Sequence, residues 1–163
     1  MKKNQQGLYL VEFAITAVVT FIILFAVIEL ARIIWIWNTA DEATRRGARV
    51  AAVCPPYDPA IARVTVFADP DGSEGNESPI IKGLSTANVV VEYFDDNGTD
   101  LLGGATLENT SYVRVSLTGF TVKPLIPFVG DKELTLPAFE ATLPAESLGL
   151  VPEDPPRFEC LMP

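Results

Sequence analysis

Gly7, Leu8 and Glu12 are the residues whose types and spacing first suggest chemistry. They lie in Lys2-Lys3-Asn4-Gln5-Gln6-Gly7-Leu8-Tyr9-Leu10-Val11-Glu12-Phe13, immediately ahead of a long apolar run. From Phe13 to Ile28 no charged residue occurs, and the only polar side chains are Thr16 and Thr20. A carboxylate at the mouth of such a run is costly in lipid and asks for a partner. Proteolysis between Gly7 and Leu8 would create one, because the new α-amine on Leu8 would lie four residues before Glu12, on the same helical face. The chemistry expected here is done to the chain rather than by it.

Two further pairs stand out. Glu29 and Arg32 are three residues apart within the apolar segment and can pair on a helix. Cys54 and Cys160 are far apart in sequence and lack the C-x-x-C spacing of zinc or thioredoxin-like sites. If the region after the helix is exported, one disulfide between them is the natural reading, and two unpaired thiols are the alternative. Histidine is absent, which removes Ser-His-Asp and Cys-His catalysis and His-ligated metals. No catalytic, cofactor or metal site is therefore expected. The runs Asp69-Pro70-Asp71-Gly72-Ser73-Glu74 and Asp95-Asp96-Asn97-Gly98-Thr99-Asp100 are oxygen-rich and invite a calcium reading, but their glycines fall too early for an EF-hand; solvated turns are the commoner reading and a calcium site the alternative. Sequons at Asn76, Asn97 and Asn109 point to exposed loops.

The elements that must position these residues begin with one helix. An apolar stretch needs ~20 residues to cross the bilayer core, and Leu8 to Trp37 offers 30 with Glu12, Glu29 and Arg32 as its only charges. Lys2 and Lys3 precede it, and short positive flanks stay cytoplasmic. Trp35 and Trp37 read as interfacial aromatics at the far boundary. Three readings compete. A secretory signal peptide has a shorter apolar core and a better cleavage context than Glu29-Leu30-Ala31-Arg32. A plain single-pass anchor would leave Glu12 to snorkel at the interface. The third is a short leader, residues 1–7, removed on the cytoplasmic side after Gly7.

The third reading has a family attached to it. The cleavage region Gly7-Leu8-Tyr9-Leu10-Val11-Glu12-Phe13 resembles that of prepilins, with Glu12 at the fifth mature position. The stretch Val11-Glu12-Phe13-Ala14, Ile28-Glu29-Leu30-Ala31-Arg32 and Ala43-Thr44-Arg45-Arg46-Gly47-Ala48-Arg49 is similar to the TadE family, pilin-like proteins of the Tad (Flp, type IVc) pilus system. The resemblance covers about the first third of the chain. It implies a structural minor pilin that acts in pilus assembly or tip formation, with surface attachment the least supported role. It implies processing by a prepilin peptidase, a start in the bacterial inner membrane with the N-terminus cytoplasmic, and then a place in the pilus at the cell surface. Its implied partners are other pilin subunits, the peptidase, the inner-membrane assembly platform and, before assembly, the lipid bilayer. A net charge of −9 argues against nucleic acid. The alternative is an uncleaved single-pass envelope protein with an extracytoplasmic binding domain.

No proline precedes Pro55, so one helix is expected over residues 8–53, with 8–37 transmembrane and 38–53 beyond the membrane. Ala40, Thr44, Ala48 and Ala52, with Ala43, Gly47 and Ala51 beside them, make a small-residue face suited to close packing, principally on the chain's own domain, with packing of part of it against neighbouring subunits the alternative. Asp41–Arg45 and Glu42–Arg46 have favourable acid-first spacing. Residues 54–150 read as a β-rich domain. Strands are expected over Asn88–Phe94 and Tyr112–Leu117, with Gly119 kinking the chain before Phe120-Thr121-Val122, and over Glu133–Leu143 broken at Pro137. Ala60–Phe67 is ambiguous between strand and helix, and Pro79–Leu84 is compatible with a helical turn. The tail 151–163 is proline-rich and expected to be extended. The fold class is α+β: a long transmembrane and stalk helix with a small antiparallel sheet domain packed on its outer half.

Overall fold

The computed structural model describes residues 6–71, 77–125, 133–151, 157–158 and 160. A single helix, α1 (Gln6–Val53), runs through the N-terminal third, on the order of 70 Å at ~1.5 Å rise per residue. It starts two residues earlier than expected, so Gly7 and Leu8 sit in its first turn. Four threonine hydroxyls along α1 find backbone acceptors within the helix. Thr16, Thr20, Thr39 and Thr44 each donate to the carbonyl four residues back, at 2.8–2.9 Å.

The helix ends where Pro55 and Pro56 remove two amide donors. Its last free carbonyls are taken by a distant loop. Glu146 N–H donates to Ala52 O at 3.0 Å and Gly149 N–H to Val53 O at 2.6 Å. Gly149 has φ +80°, and a Cβ there would lie 2.5 Å from the Pro55 ring, so this cap requires glycine.

The ambiguous segment is helical. In α2 (Pro59–Phe67), Asp58 caps the N-terminus by accepting from Ala60 N–H, and Pro59 occupies the first turn. Ile61, Val64, Thr65 and Val66 are buried. A Cβ on Gly47 would collide with the Thr65 hydroxyl, so the missing side chain is what lets α2 lie against α1. Arg46 crosses to α2, where its guanidinium donates to the Val64 and Thr65 carbonyls at 3.2 and 3.4 Å. The expected Glu42–Arg46 pair gives way to this contact, whereas Asp41–Arg45 forms at 2.9 Å on an exposed face.

A three-stranded antiparallel sheet in the order β1-β2-β5 covers the outer half of α1: β1 (Val89–Phe94), β2 (Tyr112–Leu117) and β5 (Phe139–Pro144). Asn88 belongs to a 3-10 turn, Thr86–Asn88, one residue before β1. Alternation in β2 buries Val113, Val115 and Leu117 completely. On the other face Glu92, Arg114 and Thr142 line up across the three strands, and the Arg114 guanidinium sits 4.6 Å from the Phe94 ring centre. Ser116 departs from simple alternation: it is buried and its hydroxyl donates to Val90 O at 3.5 Å.

Two short ribbons complete the described residues. β3 (Thr121–Val122) pairs with β4 (Leu134–Thr135), and β6 (Leu150–Val151) pairs with β7 (Arg157–Phe158). Pro137 separates β4 from β5. Pro79–Leu84 is not a helix but a bend and turn, closed by Leu84 N–H to Ile81 O at 3.2 Å. The core forms two lobes along α1. Ile36, Ala40, Ala43, Leu117, Phe120 and Phe139 fill the one nearer the N-terminus, and Ala48, Ala51, Ile61, Tyr93, Val113 and Val115 the other. The small-residue face of α1 is thus spent on the chain's own domain.

Candidate functional site

The first site is the bare half of α1. From Tyr9 to Ile28 every residue except the half-buried Ala17 is exposed, and most are large and apolar. By length and composition this part of α1 can cross a membrane. Leu8 to Ile28 covers ~30 Å, the thickness of a hydrocarbon core. Unbroken helix through Gly7, Leu8 and Glu12 keeps positions 8 and 12 on one face, one turn apart. Glu12 is exposed and unburied by the domain. Lys2 and Lys3 lie outside the described residues. A peptidase acting after Gly7 would have to unwind this first turn to reach an extended peptide.

The second site begins one residue past the bare segment. Glu29 and Arg32 are brought together: Nη2 of Arg32 approaches Oε1 of Glu29 at 2.5 Å and Nε approaches Oε2 at 3.4 Å. Sequence spacing foresaw that contact but not its two outer partners. Arg32 Nη2 also donates to the Lys123 carbonyl at 2.8 Å, and Leu125 N–H donates to Glu29 Oε2 at 3.3 Å. The acid is 8% exposed, so the pair joins the helix to the domain rather than facing lipid alone. The domain therefore reaches down α1 as far as Glu29, eight residues below Trp37. Trp35 is exposed, and Trp37 packs edge-to-face on Phe139 at 5.0 Å. Nothing local in the sequence announces backbone partners some ninety residues away.

The third site lies at the opposite end of α1. Cys54 and Cys160 are joined as a disulfide, with Cα atoms 4.3 Å apart across 106 positions of sequence. Cys54 is fully buried. Beside it, Tyr93 accepts from Tyr57 N–H at 3.2 Å through its phenol oxygen, and the two rings meet edge-to-face at 5.0 Å. Burial pushes the Tyr93 phenol up to about 12.

The acidic turns hold their carboxylates locally. Asp95 Oδ1 accepts from Thr99 N–H at 2.7 Å and from Asn97 N–H at 3.0 Å. Those amides, Thr99 first, hold the Asp95 carboxyl below its ordinary value. Asp100 Oδ1 accepts from Leu102 N–H and Asp69 Oδ1 from Asp71 N–H. Gly72, Ser73 and Glu74 of the first acidic run, and the Asn76 sequon, lie outside the described residues. Asn97 is exposed. The Asn109 amide is engaged at both ends, with Thr106 N–H and Gly104 O.

No curated protein and no solved structure matches this chain. The family comparison does find a match, and it falls on the helix that carries the first two sites. Residues 7–49, from the Gly7–Leu8 junction through the Gly47 contact, match the family model described as TadE-like protein.

Proposed function

We propose that this chain is a structural, pilin-like subunit of a Tad-type pilus, anchored in a membrane by the bare half of α1. The observation that carries the reading is the family match over 7–49 on a helix whose first half is uncovered and whose second half bears a folded domain. A bare apolar helix that is transferred from lipid into a filament exchanges one apolar environment for another. The domain is then carried outside on a rigid stalk. The TadE-like family is a structural one, which supports a subunit rather than an enzyme.

In the finer reading a prepilin peptidase cleaves after Gly7, and the Leu8 amine pairs with Glu12 of its own chain or of a neighbour. The chain starts in the bacterial inner membrane with its N-terminus cytoplasmic, then joins the pilus. It works with other pilin subunits and the inner-membrane assembly platform, as a minor component in assembly or at the tip. A domain of this bulk would crowd a tightly packed shaft. The Cys54–Cys160 bond fits an oxidising, extracytoplasmic setting for the domain.

Mass spectrometry of the native N-terminus tests the finer reading. A chain that begins at Leu8 is expected. A native chain that keeps Lys2 and Lys3 leaves the other reading, an uncleaved single-pass envelope protein with an outer binding domain.

A further inference from the structure

We propose that the base of the domain is seated on the bilayer that α1 crosses, with Leu125, Ile80 and Trp35 in the lipid interface. This rests on the membrane-spanning reading of α1. The vertical position of the domain is fixed by hydrogen bonds, not by a flexible linker. Glu29 follows directly on the last bare residue of the span, and its carboxylate holds the Leu125 amide at 3.3 Å. Arg32, less than one turn further, holds the Lys123 carbonyl at 2.8 Å. With ~30 Å of helix between Leu8 and Ile28, the hydrocarbon boundary falls at Ile28 and the headgroup layer at Glu29 and Arg32. Leu125 therefore lies at headgroup depth.

Leu125 is 77% exposed, although its backbone amide is pinned. Ile80 is 49% exposed and is held by neighbours that are equally fixed. The Ser78 hydroxyl donates to Val66 O at 3.1 Å and accepts from Ile80 N–H, while Ile81 and Leu84 are buried in the lower lobe of the core. Trp35 is 53% exposed on α1, and its side chain leans toward the helix N-terminus, that is, toward the membrane. Leu125, Ile80 and Trp35 line one cleft between α1 and the two loops, with Lys82, Lys123 and Glu77 on its wall, Lys123 paired with Glu133 at 3.1 Å. One exposed leucine is ordinary. Three apolar side chains on a rigid frame, starting where the bare span ends and reaching back toward it from Trp35 about 10 Å further along α1, with lysines beside them, form the pattern of an interfacial anchor. The occupant is the membrane surface, because the same helix that carries the frame passes into it.

The test uses the full chain reconstituted in phosphatidylcholine–phosphatidylglycerol vesicles. An environment-sensitive fluorophore is placed in turn on the Leu125→Cys, Leu102→Cys and Ile22→Cys variants. Leu102 is 87% exposed and lies on the lobe next to Tyr57, at the far end of α1. Nitroxide lipids that quench at the headgroup or deep in the core read the depth of each label. Expected are deep quenching at Ile22, shallow quenching with a blue shift at Leu125, and neither at Leu102. Deep quenching at Ile22 with Leu125 behaving like Leu102 overturns the seat and leaves the span standing. No quenching at any position overturns the span itself.

Discussion

The carboxylate of Glu29 accepts a hydrogen bond from the backbone amide of Leu125, 96 residues later in the chain. A group that looks like an isolated helix acid in the sequence is thus half of a clamp. Glu29 binds Arg32 within the helix and the loop after β3 across it, and Arg32 binds the same loop through Lys123 O. Glu29→Ala removes the acceptor and leaves Arg32 with one partner. A loss of roughly 2 kcal/mol is expected, since charged hydrogen bonds in a partly buried pair are worth about that much. The cleaner readout is local. Hydrogen exchange at the Leu125 amide should speed up in Glu29→Ala while amides in β2 keep their protection. Unchanged exchange at Leu125 would mean the clamp is not formed in solution.

The far end of α1 is held by a covalent link. Closing a loop of 106 positions restricts the unfolded chain, and opening it is expected to cost roughly 2–5 kcal/mol. Thermal unfolding in detergent micelles should shift down on addition of a phosphine reductant. Labelling of unreduced, denatured protein should find neither Cys54 nor Cys160 reactive. Labelling at both rejects the link. The loop from Glu146 to Gly149 caps α1 beside Cys54, so reduction should also loosen the Gly149 amide before the sheet melts.

Tyr93 gives the upper lobe a pH dependence. Its phenol is raised from 10.0 to about 12, with burial the largest cause. Below the unfolded value both states hold the proton and nothing changes. Between the two values the unfolded chain loses its proton and the folded chain keeps it, so stability falls as pH rises through that window. The fall is on the order of 2 kcal/mol for a shift of this size. Alkaline unfolding followed by phenolate absorbance should show it. Tyr93→Phe should flatten the dependence between pH 10 and 12 while lowering stability at neutral pH, because Tyr57 N–H loses its acceptor.

Some of this architecture was legible and some was not, for physical reasons. The reach of α1 could be read because apolar continuity and the absence of proline before Pro55 both act along the chain. The β2 strand could be read because Val113, Val115 and Leu117 alternate over a full strand length. Ala60–Phe67 could not be decided by composition, since Val64, Thr65 and Val66 are β-branched and suit a strand. The outcome was set by Asp58 and Pro59 at the start of α2 and by Gly47 on another helix, which opens room for Thr65. Arg46 shows the same limit: its local partner by spacing was Glu42, but the Val64 and Thr65 carbonyls at the end of α2 bind it instead. The partners of Glu29 and Arg32 were beyond reach because they are backbone groups, and any residue type supplies those.

Glu12 carries the last prediction. Position 12 is exposed on the bare apolar half of α1, one turn above position 8 and away from every contact of the described domain residues. Nothing in the domain depends on its carboxylate, so Glu12→Ala should leave both folding and membrane insertion intact. If the chain is cleaved after Gly7 as proposed, the effect should appear only once the new Leu8 amine is carried from the membrane edge into an apolar helix bundle. An unpaired buried charge costs several kcal/mol, enough to decide whether a subunit is accepted. Immunoblots of membranes and of sheared pili separate the two steps. The variant should be present at normal levels in membranes and depleted from pili, with Glu12→Asp intermediate because its shorter side chain reaches less well. Equal recovery of Glu12→Ala and the parent chain in sheared pili would remove the role from the carboxylate. Depletion of the variant from membranes as well would place the defect in insertion, where this acid has no partner among the described residues to lose.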